Sequence, residues 1–200
     1  MARTEKRKPI AERPMKPTLA TVWLDGCSGC HMSVLDMDER ILEILSEMDL
    51  VYSPLVDRKD FPDGVDLTLV EGSVSSEEDL HKIQLVRQRT KTLVALGDCA
   101  VTSNVPGMRN PYLVREVLDR AYTENADGPR KGEIPTGAVP RLLPWVRPVH
   151  EIVKVDVFLP GCPPPADVIY EMLSVLRKGG GVEGAVQMAE TVSALSRFGK

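Results

Sequence analysis

Four features are missing from this 200-residue sequence, and each absence excludes a class of protein. No apolar run approaches the roughly 20 residues that a membrane-spanning helix needs, so membrane insertion is not expected. No G-x-G-x-x-G follows a predicted strand, so dinucleotide binding by this chain is not expected. The net charge of -4 provides no basic surplus for nucleic acid phosphates. No apolar stretch of roughly 7–15 residues follows the N-terminal positive charges, so a secretory signal is not expected.

Cysteine is scarce, with four residues in the whole chain: Cys27, Cys30, Cys99 and Cys162. The lack of an export signal places the expected location in the cytoplasm, where structural disulfides are rare. Four cysteines in a reducing compartment are better explained by metal ligation or redox chemistry than by disulfides. An iron-sulfur cluster uses four thiolates, which would leave no cysteine over.

Composition divides the chain into three parts. Residues 1–17 contain six basic and two acidic residues, a local net charge of +4, with three prolines, and they predict a flexible basic arm. Residues 18–180 alternate short apolar runs with helical patterns, which is typical of a mainly parallel α/β sheet with helices on its faces. Residues 181–200 follow a break at three glycines and predict a C-terminal helical tail.

The periodicity predicts strands at 19–24, 50–56, 66–70, 92–96 and 152–159. Helices are predicted at 34–48, from Ser75 or Ser76 to about residue 88, at 111–122 with Pro111 in the first turn, and at 166–177. Residues 123–150 contain five prolines and no clear period. Such a segment is typical of either a docking surface or a poorly ordered loop, and we predict a role in subunit contacts.

The cysteines follow three of the predicted strands. Cys27 and Cys30 form a C-x-x-C after the first strand, Cys99 follows the fourth, and Cys162 follows the fifth. Because the carboxyl ends of parallel strands meet at one edge, we expect the four thiols to converge there. Glycine permits unusual dihedrals and leaves amides free to donate to sulfur, and glycines accompany each cysteine at Gly26, Gly29, Gly97 and Gly161. Pro163 repeats the Cys-Pro ending of bacterial ferredoxin motifs.

Three alternative roles for the cysteines stay open from the residues alone. A structural zinc site also uses four thiolates, although zinc modules usually bring two local pairs and this chain has two single cysteines. A thioredoxin-like redox pair would explain Cys27 and Cys30 but leaves the other two without a role. Buried inert thiols are common in proteins of every class.

Four ordered motifs carry a resemblance to a known family. They are L-D-G-C-S-G-C at 24–30, V-E-G-S-V at 70–74, L-V-A-L-G-D-C-A at 93–100 and V-D-V-F-L-P-G-C-P-P at 155–164. In this order the chain resembles the small subunit of nickel-iron hydrogenase over about residues 19–178. The resemblance implies a flavodoxin-like domain that binds one four-iron four-sulfur cluster through Cys27, Cys30, Cys99 and Cys162, beside the nickel-iron centre of a separate large subunit. For Glu71 the resemblance implies a role either at the large-subunit interface or in a proton path, and the alternative is that Glu71 caps a helix. His31, which follows Cys30, is expected to be a hydrogen-bonding neighbour of the cluster.

Departures from the family pattern indicate a subtype. The twin-arginine leader and the additional C-terminal cysteines of membrane-bound uptake enzymes are not found here, so the chain resembles the small subunit of the cytoplasmic, bidirectional NAD-reducing hydrogenase. The resemblance then implies a diaphorase module as partner, carrying further clusters, FMN and the NAD site, with electrons passing singly through the cluster held by this chain. Flavodoxin-like folds bind FMN at this sheet edge, but in this chain the cysteines occupy the same edge. FMN binding by this chain is therefore left open.

Two alternatives from other classes remain. The cluster-bearing subunit of respiratory NADH dehydrogenase shares this ancestry but typically has adjacent cysteines where this chain has C-x-x-C. A zinc-binding interaction module is the alternative without redox chemistry.

Overall fold

The computed structural model describes residues 16–177 and 181–195. Its strands are β1 (Thr18–Trp23), β2 (Asp49–Tyr52), β3 (Val65–Glu71), β4 (Val74–Ser76), β5 (Thr90–Leu96), β6 (Leu142–Arg147) and β7 (Val157–Leu159). Five of them form a parallel sheet in the order β2-β1-β3-β5-β7, while β4 and β6 form a separate antiparallel pair. Counted within the main sheet, this order is the flavodoxin-like order 2-1-3-4-5, which confirms the predicted fold class.

Eight α-helices accompany the strands in these two ranges. They are α1 (Gly29–Leu35), α2 (Arg40–Glu47), α3 (Glu77–Arg89), α4 (Asp98–Thr102), α5 (Asn104–Gly107), α6 (Val114–Asp119), α7 (Ala166–Arg177) and α8 (Gly181–Leu195). A π-helical turn at Arg120–Glu124 extends α6, and a 3-10 turn at Val149–Glu151 lies before β7. No helix among the described residues is long and apolar enough to cross a membrane.

Alternating side chains of the sheet supply two cores, one on each face. Leu69 and Val94 pack against α1, α2, α7 and α8, whereas their neighbours Val70 and Ala95 pack against α3 and α4. Both faces of the parallel sheet are covered in this way, so consecutive residues of its central strands, such as Leu69 and Val70, are both buried. Ala185 and Ala189 of α8 are buried in the first core, which ties this C-terminal helix to the domain.

The strand register places four strand ends in one row across the sheet. Trp23 pairs with Glu71, Glu71 pairs with Leu96, and Leu96 pairs with Leu159. The loops that follow β1, β5 and β7 therefore leave the sheet at the same level. Since these loops carry all four cysteines, the register brings the cysteine segments to one edge, as the parallel arrangement predicts.

The structure corrects the prediction of one helix over 34–48. Two helices, α1 and α2, cover this region, and they are separated by turns in which Asp38 adopts a left-handed conformation with φ of 51°. Aspartate tolerates this conformation better than most residues. The break leaves Met37 and Ile44 facing the core, each 1% exposed, so the apolar stripe is retained although the helix is not continuous.

Other boundaries also differ from the sequence prediction. The helix predicted at 111–122 begins only at Val114, so Pro111 precedes it. The segment 123–150, predicted to be irregular, contains β6, which pairs with the short strand β4. In contrast, Ser76 caps α3 as predicted, because its Oγ accepts from the Asp79 N–H at 3.1 Å and Asp79 Oδ2 accepts in return. Residues 1–15 of the predicted arm and two of the three glycines at the predicted break lie outside the described residues.

Candidate metal centre

The C-x-x-C loop is attached to the end of β3 by main-chain hydrogen bonds. The Leu24 N–H donates to Glu71 O at 2.9 Å, and Asp25 and Ser73 exchange hydrogen bonds of 3.0 and 2.7 Å. The two chains approach so closely that a Cβ on Gly72, which has φ of 89°, would lie 2.7 Å from the Leu24 carbonyl carbon. Only glycine fits there, so Gly72 allows the loop to lie directly on the sheet.

Cys30 is buried against the loop that follows β5. Only 7% of its surface is exposed, and a Cβ on Gly97 would lie 2.2 Å from the Cys30 sulfur. Gly97 also has a positive φ of 82°. The glycine that accompanies Cys99 in the sequence therefore makes room for the thiol of Cys30, and it joins the first and second cysteine segments.

The second and third cysteine segments are joined by hydrogen bonds. The Asp98 N–H donates to Gly161 O at 2.8 Å, and the Gly161 N–H donates to Asp98 Oδ1 at 2.7 Å. Gly97 N–H donates to Leu159 O at 2.8 Å and extends the same ladder. Gly161 has φ of 141°, and a Cβ there would lie 2.6 Å from Pro164 Cα. Each residue of the Asp98–Gly161 pair precedes a cysteine, so the pair fixes Cys99 relative to Cys162.

Two N–H groups around α5 are directed at sulfur. Asn104 Nδ2 donates to Cys162 Sγ at 3.5 Å, and the main-chain N–H of Val105 hydrogen-bonds Cys99. Hydrogen bonds of this kind favour the thiolate over the thiol and tune metal centres that use thiolate ligands. Sequence reasoning missed Asn104, because neither its spacing nor its residue type distinguishes it from an ordinary loop residue.

The four thiols act on one another electrostatically. Burial raises the pKa of Cys30 far above its ordinary value, and the negative charges of Glu71 and of the other three cysteines raise it further. Burial also raises the pKa of Cys99, against the Val105 N–H, with Cys162, Cys27 and Glu71 adding to the rise. Thiolates whose charges act on one another repel unless cations bind them, and metal binding deprotonates such ligands.

The remaining predicted residues lie in the same loops. A Cβ on Gly29 would lie 3.2 Å from Cys27 Sγ, and the Cys162–Pro163 peptide bond is cis. Cys27 and Cys162 are exposed, Cys99 is half-buried, and Cys30 is buried. In the part of the chain that the structure describes, no three His, Cys, Asp or Glu side chains are arranged around a single metal ion. The donor set of four thiols with N–H groups directed at sulfur fits an iron-sulfur cluster, whose iron atoms each take one cysteine.

Glu71 and His31 form a buried contact beside these loops. The Glu71 side chain accepts from the His31 main-chain N–H at 2.9 Å and also contacts ring Nδ1, while its other oxygen lies near Gly26. The His31 ring packs edge-on with Trp23, with centroids 5.1 Å apart. Glu71 therefore does cap a helix, but that helix is α1, which no local sequence signal indicated because the two residues are 40 positions apart.

Comparison with known proteins gives a consistent family. Residues 27–176 match the family described as NADH ubiquinone oxidoreductase, 20 Kd subunit. The chain is 41% identical over 172 residues to the NAD-reducing hydrogenase HoxS subunit delta of Cupriavidus necator, covering 84% of this chain and 82% of that protein. It is 39% identical over 159 residues to a subunit of the vhu F420-non-reducing hydrogenase of Methanocaldococcus jannaschii, covering 79% of this chain but only 55% of the relative.

Solved structures agree with these sequence matches. A chain of an NAD+-reducing [NiFe]-hydrogenase in the H2-reduced state superposes with a TM-score of 0.79 at 37% identity, covering 82% of this chain and 93% of that one. A [NiFeSe]-hydrogenase chain from Dm. baculatum superposes with a TM-score of 0.54 at 20% identity, covering 84% of this chain and 64% of that one. This second match supports the fold alone.

Proposed function

The chain belongs to the family of the NADH ubiquinone oxidoreductase 20 Kd subunit, its curated relatives above are hydrogenase subunits, and it superposes on a chain of a [NiFe]-hydrogenase. From this premise we propose that it is the electron-transfer small subunit of a soluble, NAD-reducing hydrogenase. One observation carries the proposal: the strand register and the contacts of Gly97 and Gly161 bring three remote cysteine segments together at one sheet edge.

We propose Cys27, Cys30, Cys99 and Cys162 as the ligands of one four-iron four-sulfur cluster. When bound, this cluster supplies one-electron transfer between the nickel-iron site of a large subunit and a diaphorase module. The chain's own residues hold the four sulfurs at fixed positions, direct the N–H groups of Asn104 and Val105 at two of them, and shield Cys30 from water.

The proposed partners are a hydrogenase large subunit and diaphorase subunits with clusters, FMN and the NAD site. Large exposed apolar side chains favour a protein partner, since Val105 of α5, beside Cys99, is 60% exposed, Met108 is 71% exposed and Trp145 of β6 is 61% exposed. The chain that follows α5 is attached to β6. The Asn110 side chain hydrogen-bonds both the carbonyl and the N–H of Val146, at 2.9 and 2.8 Å.

Metal analysis and an activity assay test the proposal. The purified chain, reconstituted anaerobically, is expected to bind about four iron atoms and four acid-labile sulfides, as a single cubane cluster requires. Zinc without sulfide would instead indicate the interaction module. The complex purified through this chain is expected to reduce NAD with hydrogen. A complex that oxidises NADH but does not use hydrogen would favour the respiratory alternative. The description of the matching family is consistent with that alternative, since it names a subunit of NADH ubiquinone oxidoreductase.

The location of the complex and the domain boundaries are also part of the proposal. We propose that the complex is cytoplasmic, that residues 18–180 form the cluster domain and that residues 181–200 form a helical tail. The basic arm at 1–17 stays a prediction. Flavin binding by this chain is tested by absorbance near the flavin bands after reconstitution, and we expect none because cysteine loops occupy that sheet edge.

A further inference from the structure

Glu71 and His31 are buried side by side next to Cys30. They are 2% and 3% exposed, and Glu71 Oε2 accepts the His31 main-chain N–H at 2.9 Å while also contacting the ring at Nδ1. Burial of a carboxylate is costly unless hydrogen bonds compensate it. The two bonds to one residue meet that requirement and tie the carboxylate to the residue that follows a proposed cluster ligand.

Glu71 replaces the usual helix cap of α1. Ser28, at the N-cap position, has a left-handed φ of 66° and its side chain makes no capping bond. The first N–H groups of a helix have no acceptor within the helix. The His31 N–H is one of these groups, and its acceptor comes from β3 rather than from the local chain.

The main chain of Glu71 is itself held on both sides. It lies in register with Trp23 of β1 and with Leu96 of β5, and its carbonyl accepts the Leu24 N–H at 2.9 Å. The carboxylate is therefore a short rigid link from the centre of the sheet to the start of α1. Moving it would move the helix turn that carries Cys30.

The negative charge of Glu71 also acts on the thiols of Cys30 and Cys99. After burial, it is the largest influence that raises the pKa of Cys30, and it contributes to the raised pKa of Cys99. A negative charge near a cluster disfavours the more negative, reduced form and lowers the reduction potential.

We propose that Glu71 is a positioning residue for Cys30, which it holds through His31, and that its buried charge lowers the reduction potential of the cluster. This inference rests on the proposed function for its second part only. Glu71→Gln keeps an oxygen that accepts the His31 N–H but removes the charge, whereas Glu71→Ala removes both. Asp156→Asn is a control for loss of a buried charge, because Asp156 is a largely buried carboxylate that accepts from the Leu93 N–H in the middle of β5.

Two measurements test the two parts. In the cluster-free chain, amide hydrogen exchange at His31 is expected to be about tenfold faster or more in Glu71→Ala, as loss of a hydrogen bond to a charged group implies. It is expected to change by less than about twofold in Glu71→Gln. In the reconstituted chain, the midpoint potential of Glu71→Gln is expected to be more positive than that of the wild type. Asp156→Asn, the control for the second measurement, is expected to leave the midpoint potential unchanged.

The possible outcomes distinguish the role of Glu71 from the proposed function of the chain. Unchanged exchange at His31 in Glu71→Ala overturns the positioning role, whether or not a cluster binds. An unchanged potential in Glu71→Gln overturns the electrostatic role. A wild-type chain that takes up no iron counts against the proposed function and, with it, the electrostatic role. If Glu71→Ala does not fold, Glu71→Asp is measured instead, because its shorter side chain withdraws the carboxylate and predicts the same acceleration.

Discussion

Asp98 and Gly161 donate one hydrogen bond to each other across two loops that are 63 residues apart in the chain. One bond uses the Asp98 carboxylate, at 2.7 Å, and the other uses the Gly161 carbonyl, at 2.8 Å. Because Cys99 and Cys162 are the next residues, this pair sets how far apart two proposed ligands lie.

Replacing Asp98 with alanine tests this relationship. The Gly161 N–H loses its carboxylate acceptor, so we expect the free energy of unfolding to fall by about 1.5–3 kcal/mol. We also expect iron and sulfide per chain to fall after reconstitution. The control is Asp119→Ala, which removes a surface acid paired with Arg115 at 2.7 Å. Full cluster content in Asp98→Ala would contradict the assigned role.

Gly97→Ala tests the space reserved for the Cys30 thiol. The added Cβ meets the sulfur at 2.2 Å in a backbone with φ of 82°. Gly128→Ala is the matched control, since Gly128 has φ of 98° but nothing within 4 Å of its Cβ position. Both variants carry backbone strain of about 1–3 kcal/mol, and only Gly97→Ala is expected to lose cluster binding as well. Urea denaturation and iron analysis measure the two effects. Equal iron content in both variants would show that the contact is not limiting.

The fold is expected to lose stability in acid through Asp156. Burial alone would raise the pKa of Asp156, but bonds from the Leu93 N–H at 2.9 Å and Arg87 Nη1 at 2.6 Å, with the charges of Arg87 and Lys154, hold the pKa below its ordinary value of 3.8. A carboxyl with a lowered folded pKa stabilises the fold above its unfolded pKa, and this contribution is lost as the pH falls through the folded pKa.

Asp156→Asn is therefore expected to be less stable than the wild type by about 1–3 kcal/mol at neutral pH, with the gap closing below a pH of about 4. Urea denaturation at both pH values measures it. Asp63→Asn, which disrupts an exposed pair with Arg89, is the control and should change stability by less than about 1 kcal/mol. A gap of the same size in acid would show that ionisation of Asp156 does not contribute.

Asn104→Ala tests hydrogen bonding to sulfur. Its amide donates to Cys162 Sγ at 3.5 Å, and such bonds stabilise the reduced, more negative cluster. We expect the midpoint potential to become more negative while iron content stays the same. An EPR-monitored redox titration measures the shift. Thr102→Ala, two residues away and bonded to Asp98 O at 2.9 Å, is the comparison that should leave the potential in place.

Trp145→Ala tests the proposed contact with a large subunit. Exposed tryptophans are frequent energetic centres of protein interfaces, and truncating one typically costs about 2 kcal/mol or more, or about 30-fold in affinity. We expect less partner to co-purify, at unchanged cluster content of this chain. Leu42→Ala is the control, since Leu42 is 65% exposed on α2. Equal losses in the two variants would show that Trp145 does not belong to the interface.

Short-range patterns predicted the scaffold well. The runs that contain β1, β3 and β5, and the Ser76 cap of α3, follow from side-chain periodicity and local hydrogen bonding, which the sequence displays directly. The same patterns predicted that the cysteine loops share an edge. The break at Asp38 was not predictable, because the apolar stripe on both sides of it continues in phase.

Long-range contacts account for what was missed. Strand β6 lies in a proline-rich segment without a clear period, and its antiparallel partner β4 is three residues long. No sequence pattern therefore indicated this pairing. The contact of Glu71 with His31 joins positions 40 apart, and the contact of Asn104 with Cys162 joins positions 58 apart. No local signal identifies such partners, since only the assembled sheet brings them together.

The unequal depth of the cysteines gives maturation a direction. Cys27 and Cys162 face outward, while Cys30 lies beneath them against Gly97. A carrier that delivers preformed iron and sulfide can reach the outer pair first and the innermost sulfur last. In the proposed complex, a large subunit seated over Val105 and Met108 would cover that approach, so we expect cluster insertion to precede assembly.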